Sequence, residues 1–584
     1  MSTVRWSIVM KGVQRALWSV LSSRRLPLIT ATILGAAVVA AGADSTIIDF
    51  AAQDPDLLIS GVAANASLGA DIAVGDLDGD GAEDLVIGAP WAHRNGAEQF
   101  AGRVYIFFGG QERPASLSVS SADVTIIGAA ANDGIGGGLF ERQPGTIAIG
   151  DLNDDGLDDL ILGAADAQGR SGEVRVIFGR SRGEWEAAAT FDLAQTPGDI
   201  LISAGSTRSW LGTTVAAGDV NGDGIADLVA GAPGADGPQG DRRDAGEAYV
   251  FFGRQSWQPN TLVAEDDADV RIVGVERDDL LGSGLAVGQL GGSEVADLAI
   301  GVRGGDGPAN DRGTAGEVYV LFGAASLGGT YDMAAVTADW MIYGADNLDE
   351  VSRYIAVGDV SGDGQPDLVI GVVGGDGPDS GRMDAGEVAV LLGPRTTGTV
   401  SDLANGADFT LYGRQGSTSQ QPGGRLGDSV ALGDFSGDGV LDVVAGSRMG
   451  NGFNGAHPDT GEAYVVFGGN LPASVDLISE DADIAVYGRD NGDMLGRVAA
   501  GNLDSISPAD LALGARGADV ADGSTLADAG KVFVVYRQVI EPTPTSTTPP
   551  PTPTFTLTPT ATTTATVTPT PAVWDYLPLI LRNQ

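Results

Sequence analysis

After residue 44 the chain alternates short apolar segments with polar loops, and none of the apolar segments sustains a helical period. A short segment such as IAVGD, VAAGD or VALGD leads into an acidic loop, and the loop leads into a β-branched run such as DLVIG, suited to a buried strand. After a loop rich in Gly, Asp and Pro comes a third apolar segment: GRVYIFFGG, GEVRVIFGR, GEAYVFFGR, GEVYVLFGA, GEVAVLLGP, GEAYVVFGG or GKVFVVYRQ. A fourth, opened by aspartate, follows, as in DVTIIG from Asp123, DVRIVG from Asp269 and DIAVYG from Asp483.

This four-strand unit recurs. GDLDGDGAEDLVIGAP from Gly75 is matched from Gly150, Gly218, Gly358 and Gly433, with worn copies from Gly288 and Gly501. Seven copies roughly 70 residues apart are a repeat architecture. Four short strands per copy predict an all-β, seven-bladed β-propeller of four-stranded blades. The seventh copy ends at its third strand, Val532 to Tyr536, whereas an unclaimed fourth-type strand, DLLISG, begins at Asp56. The N-terminal strand is therefore expected to pair with the sheet of residues 500–537, closing the ring and removing its open edges.

The copies resemble the FG-GAP repeat, here in Phe108-Gly109 with Gly88-Ala89-Pro90 and in Phe252-Gly253 with Gly231-Ala232-Pro233. The resemblance spans about residues 45–537. Such repeats form the propeller head of integrin α subunits and occur in many bacterial surface proteins, so it implies that fold and leaves the function open.

In the first acidic loop Asp76, Asp78 and Asp80 hold positions 1, 3 and 5, with Gly81 at 6, as in an EF-hand loop. The bidentate Glu expected at position 12 is Ile87, and β-branched strands flank the loop, so the helix-loop-helix reading fails. A β-hairpin is expected instead, with Asp84 at position 9 closing the cage and the Ala82 carbonyl adding an oxygen. An all-oxygen donor set without Cys or His points to Ca²⁺. The FG-GAP family's calcium hairpins share this spacing, so the resemblance carries the ligands over to four more loops. In the second they are Asp151, Asn153, Asp155, Leu157 (carbonyl) and Asp159, and in the third Asp219, Asn221, Asp223, Ile225 (carbonyl) and Asp227. The fifth offers Asp359, Ser361, Asp363, Gln365 (carbonyl) and Asp367, and the sixth Asp434, Ser436, Asp438, Val440 (carbonyl) and Asp442. The fourth loop has Gln289, Gly291 and Ser293 at those positions and the seventh has Asn502 and Ile506, so no calcium is expected there. Ordinary Asp-Gly turns are the alternative, and they do not account for acids recurring at positions 1, 5 and 9 in five loops. Extracellular calcium modules bind at about 10⁻⁴ to 10⁻³ M, so structural ions are expected, tightest in the first loop with its four carboxylates.

Composition sharpens this picture. The 584 residues carry a net charge of −45, from 78 acids against 33 lysines and arginines. That balance excludes nucleic acid as a partner and suits cations. A hydrophobic content of 43% is too high for a disordered acidic chain, and without cysteine stability must come from packing and metal. Residues 1–43 have a basic region, the apolar run Leu26 to Ala40 and Ala41-Gly42-Ala43, the order of an export signal, with an uncleaved membrane anchor as the alternative. A secreted or cell-surface location follows. The propeller is expected over 44–537, a disordered Thr/Pro-rich stalk over 538–571, and a short apolar segment over 572–584 that is either a sorting or docking peptide or without a role. Surface attachment through the stalk is one expectation.

Catalytic chemistry is thinly represented. Gly179-Arg180-Ser181-Arg182-Gly183 matches the G-x-S-x-G nucleophile elbow, but it follows a propeller strand, and the chain has only two histidines, His93 and His457, in different repeats. A hairpin loop is the better reading. The loops on the rim opposite the acidic hairpins each contain arginine: Arg94, Arg170, Arg242 with Arg243, Arg303 with Arg312, Arg382, Arg448 and Arg516. They could present cationic points around the channel, or each could pair with an aspartate of its own loop, as at Asp241 to Asp244, which is the favoured reading. Trp91, His93 and Arg94 make the first of these loops the best single candidate for ligand contact. The sequence therefore points to a non-enzymatic binding or adhesion module that takes a protein or glycan ligand on this rim. The alternative is a polysaccharide-acting or hydrolytic enzyme on the same scaffold.

Overall fold

A computed structural model of the chain describes residues 45–536, apart from 95–98, 139–144, 259, 420, 456, 507 and 523. The expected export signal, stalk and C-terminal segment lie outside the described residues. The repeats fold as seven twisted sheets, one per blade. In blade one the strands Ile72–Gly75, Asp84–Ala89, Arg103–Phe107 and Val124–Ile127 run antiparallel in sequence order from the centre outward. Each innermost strand packs on that of the next blade, and Leu495–Gly501 of blade seven packs on Ile72–Gly75 of blade one, so the ring is closed.

Burial follows the sequence pattern. Every second strand, such as Asp84–Ala89, is buried at all of its positions, because neighbouring blades cover both faces. The outer strands alternate buried and half-buried residues, as Leu57–Ser60 does. The hydrophobic clusters lie between blades: Leu57, Ile59, Val532 and Val534 of blade seven interleave with Leu85, Ile87, Tyr105 and Phe107 of blade one. Glycine is needed where blades touch. A Cβ on Gly88 would stand 1.8 Å from the Gly136 carbonyl oxygen of the next blade.

Leu57–Ser60 pairs antiparallel with Lys531–Val535, with Leu57 opposite Val534, and is the fourth strand of blade seven. The N-terminal closure is as expected. It also extends further, because Thr46–Asp49 pairs in parallel with Ile484–Tyr487 of blade six. The amino-terminal segment thus ties two blades together, and Phe50 stacks on Phe533 at 4.6 Å in the seam.

Each blade has the four expected strands, and a fifth joins the outer edge of each sheet. In blade one it is Thr190–Asp192, which pairs in parallel with Val124–Ile127. It belongs to the connection between the third and fourth strands of blade two, so each blade lends a strand to its predecessor. These runs are only three or four residues long and have no clear apolar period, so the sequence does not mark them as strands.

Candidate functional site

The acidic loops are β-hairpins joining first and second strands. In the first, Asp76 Oδ1 accepts the Gly79 N–H at 2.8 Å and Oδ2 the Gly81 N–H at 2.9 Å, while Asp80 Oδ1 accepts the Ala82 N–H at 2.9 Å. Asp151, Asp219, Asp359 and Asp434 likewise hold the N–H of the glycine at position 6, at 2.8–2.9 Å. These glycines have φ of 83–90°, which a side chain would strain. Five hairpins therefore share one backbone shape.

The aspartate at position 9 has a task that the sequence reading does not include. In all seven blades it is fully buried. Asp84 accepts the Leu77 N–H at 2.8 Å with Oδ2 and the Gly109 N–H at 2.9 Å with Oδ1. Asp159, Asp227, Asp297, Asp367 and Asp442 make the same two bonds. Asp510 accepts the Leu503 N–H at 2.9 Å. The preceding phenylalanine N–H goes to the aspartate that opens the fourth strand, as from Phe108 to Asp123 at 2.9 Å and from Phe178 to Asp199 at 2.8 Å. Both amides of the Phe-Gly pair are thus held by carboxylates from different strands. Burial outweighs these bonds, raising Asp84 and Asp159 to about 7 and Asp227 and Asp442 to about 6.

The donor set fits a hard cation. Carboxylate oxygens of Asp76, Asp78 and Asp84 lie within 4.8 Å of one another, the one such trio among the described residues. In the second hairpin Asn153 Oδ1 is buried without a hydrogen-bond partner, an orphaned acceptor that coordination would satisfy. The fourth hairpin is closed by its own polar groups: the Gln289 amide donates to the Glu294 carbonyl at 2.7 Å and the Ser293 hydroxyl to the Val295 carbonyl at 3.1 Å. In the seventh, Asn502 Oδ1 also lacks a partner, but Ile506, 52% exposed, stands at position 5 where an acid would be needed.

Sequence reasoning missed Arg182. The G-x-S-x-G stretch opens a short helix, Arg182–Ala187. Ser181 Oγ donates to Glu184 at 2.6 Å, and the Trp185 indole N–H donates to the Leu77 carbonyl at 3.0 Å. These contacts make a plug against blade one. They dock Arg182 onto the first hairpin, where it bonds Asp78, contacts Asp80 Oδ2 at 2.8 Å and lies over Phe108 at 4.9 Å from the ring centre. The hairpin with carboxylates at all four ligand side-chain positions therefore already carries a guanidinium. Its origin in the next repeat, more than 100 residues away in sequence, left no local signal.

Four of the nine rim arginines are clamps. Arg94, Arg242, Arg312 and Arg382 pair with Asp192, Asp332, Asp402 and Asp476, which end the fifth strands lent by the following blade. Each also donates to a carbonyl at the end of its own blade's fourth strand, from Gly128, Gly274, Gly344 or Gly413. The partners therefore lie in the next repeat rather than in the same loop. Arg243 does contact Asp244 of its own loop, at 3.4 Å, and Arg170 contacts Asp166 at 3.8 Å. Of the first loop's three candidates, Arg94 is committed to its clamp, His93 lies edge-on to Phe100 and Trp91 is 37% exposed.

The FG-GAP repeat family matches residues 68–107 and 211–251, and the FG-GAP-like repeat family matches residues 151–230. Phosphatidylinositol-glycan-specific phospholipase D of Mus musculus is 32% identical over 217 residues, which is 36% of this chain and 23% of that protein. Integrin alpha-IIb of Mus musculus is 34% identical over 174 residues, covering 29% of this chain and 15% of the integrin. Integrin alpha-PS2 of Drosophila melanogaster is 28% identical over 246 residues, 41% of this chain and 15% of its own length. The similarity thus spans less than a quarter of each of these relatives. No helix among the described residues is long and apolar enough to cross a membrane.

Proposed function

We propose, from the premise that this chain carries FG-GAP repeats folded as a seven-bladed β-propeller, that it is an exported, calcium-stabilised binding module of the cell surface or its surroundings. The observation that carries the metal part is the hairpin geometry: five loops of one shape, a carboxylate trio within 4.8 Å and the orphaned Asn153 oxygen. Ca²⁺ would be held by Asp76, Asp78, Asp80, Asp84 and the Ala82 carbonyl, and by the corresponding residues of the second, third, fifth and sixth hairpins. It would neutralise acids that otherwise repel one another at the ends of the innermost strands. The ligand, a protein or glycan, would meet the opposite rim, where Trp91 is exposed beside the channel.

The relatives named as integrins support a binding role, and those named as phospholipase D favour the enzymatic alternative. The binding reading is preferred on the site. Among the described residues neither histidine is hydrogen-bonded or ion-paired to a carboxylate: His93 meets Phe100, and His457 Nδ1 lies 3.1 Å from Asn491 Oδ1. A protein and glycan binding screen of the whole chain, with and without calcium, tests both parts. Binding that needs the Trp91 rim, with a melting temperature that falls on chelation, is expected. A melting temperature indifferent to chelation would remove the metal. Turnover abolished by a rim carboxylate substitution would replace the module with an enzyme.

A further inference from the structure

The acidic hairpins are tied to one another around the ring by backbone hydrogen bonds. In six of the seven junctions the N–H at position 8 of one hairpin donates to the carbonyl at position 1 of the preceding blade's hairpin. Where both hairpins carry ligand acids the bonds run from Asp158 to Asp76 at 3.3 Å, from Ala226 to Asp151 at 3.2 Å and from Leu441 to Asp359 at 3.2 Å. The junctions that involve the fourth or seventh hairpin have the same bond at 2.8–3.2 Å, with one exception. Between blades four and five position 8 is Pro366, which has no N–H to give to Gln289.

Both ends of this bond adjoin the metal ligands. Position 1 is itself a ligand aspartate, and position 8 precedes the aspartate at position 9, whose carboxylate is fixed on its two amides, as Asp159 is on Leu152 and Gly179. Asp158 adds a second tie, because its own carboxylate accepts the Asp76 N–H at 3.2 Å. A parallel contact reaches the carbonyl at position 2 from the loop after the next blade's third strand, as from Arg254 to Leu152 at 3.0 Å. That contact is kept between blades four and five, from Arg395 to Leu290 at 2.8 Å, but it starts on a loop that supplies no ligand. The position 8 amide is the contact that joins ligand to ligand.

This arrangement has an energetic consequence for ion binding. Without an ion the acids of one hairpin repel one another, and an ion draws positions 1 and 9 together at a cost in conformational entropy. An ion in one hairpin fixes its position 8 amide, and that amide then holds position 1 of the preceding hairpin. The second ion finds part of its ordering already done, and by linkage each ion helps the other equally. The hairpins with ligand acids fall into two runs, one to three and five with six. Hairpin four and Pro366 separate the runs on one side of the ring, and hairpin seven on the other.

We propose that the residue at position 8 is a positioning residue for the calcium ligands of the preceding blade, so that the ions within each run of hairpins bind cooperatively. This rests on the calcium reading above and adds how the sites act on one another. The test is calorimetric titration of the full chain, stripped of metal, with calcium chloride. Ala226→Pro copies into blade three what Pro366 does in blade five: it removes the N–H held by Asp151 and leaves every ligand in place. It should take up as many ions as wild type, with the second and third sites weakened about two- to tenfold, the equivalent of one hydrogen bond. Ala226→Ser keeps the N–H and should titrate as wild type. Asp223→Ala empties the third hairpin and spares the latch aspartate Asp227, so it should cost one ion and weaken a second site by the same factor. Full uptake by Ala226→Pro at wild-type affinity would overturn the coupling, as would equal weakening in Ala226→Ser. If Ala226→Pro does not fold, the loss of one ion and nothing more in Asp223→Ala overturns it instead. Each of these results would leave the calcium sites standing, whereas no uptake by wild type would remove the sites and the coupling together.

Discussion

Asp297 separates the backbone latch from any metal, because the blade-four hairpin has lost its ligand acids. Its Oδ1 accepts the Gly323 N–H at 2.8 Å, and its Oδ2 accepts Leu290 at 2.5 Å and Gly291 at 2.6 Å. Asparagine keeps one oxygen and puts an NH₂ at the other end. Turned either way it points a donor at a buried amide. One or two bonds to a charged acceptor are lost, each worth about 1.5–3 kcal/mol, and an amide is stranded. Against this, burial raises the Asp297 pKa, so removing the charge returns part of the loss. Asp297→Asn should therefore cost about 2–4 kcal/mol, the same in calcium and in chelator. Asp227→Asn removes the same latch, from Gly253 at 2.9 Å and Val220 at 2.8 Å, together with one of the proposed calcium ligands. Its cost should be larger in calcium than in chelator. Urea unfolding followed by tryptophan fluorescence, in both conditions, reads the difference. The reasoning fails if Asp297→Asn lies within about 0.5 kcal/mol of wild type, below any latch of this kind. It fails equally if both variants respond alike to calcium removal.

Three further outcomes follow from the same contacts. Arg182→Gln should raise the calcium affinity of the first hairpin and deepen the melting loss on chelation, because it removes the cation from Asp78 and Asp80; unchanged calcium titration would show that the guanidinium does not compete. Deleting residues 45–61 strips the fourth strand from blade seven and the fifth from blade six, so light scattering should show self-association through the bared edges. A monodisperse variant with wild-type melting would refute the closure. Asp279 and Asp349, raised to about 6 by burial, and Glu387, raised to about 7 by burial and then by Asp349, have folded values above their unfolded ones. Their contribution to stability is complete below about pH 4 and is lost as pH rises through 6–7. The chelated protein should therefore melt higher at pH 5.5 than at pH 7.5, and the opposite order in scanning calorimetry would reject the assignment.

The sequence by itself determined the elements and the ring. Runs such as DLVIG and YVFFG, and the tight Asp-Gly bends between them, are local patterns that the backbone obeys wherever it lies. The missing strand of the seventh copy fixed where the amino terminus had to go. The aspartates of the hairpins and of the fourth strands were visible too, though not what they hold. Their partners, the two amides of Phe-Gly, lie on a third strand 15 to 26 residues away in the chain. Only the tertiary structure decided which charges meet. Arg182 reaches the neighbouring blade's hairpin, Arg242 and Arg312 bind aspartates 90 residues further on, and Arg448, Arg497 and Arg516 of blades six and seven line one cavity at the channel mouth. A side chain's partner is set by which blade the ring places beside it, and no spacing within one repeat records that. The same reason explains the fifth strands, which gain their order from an edge offered by another blade rather than from an apolar period of their own.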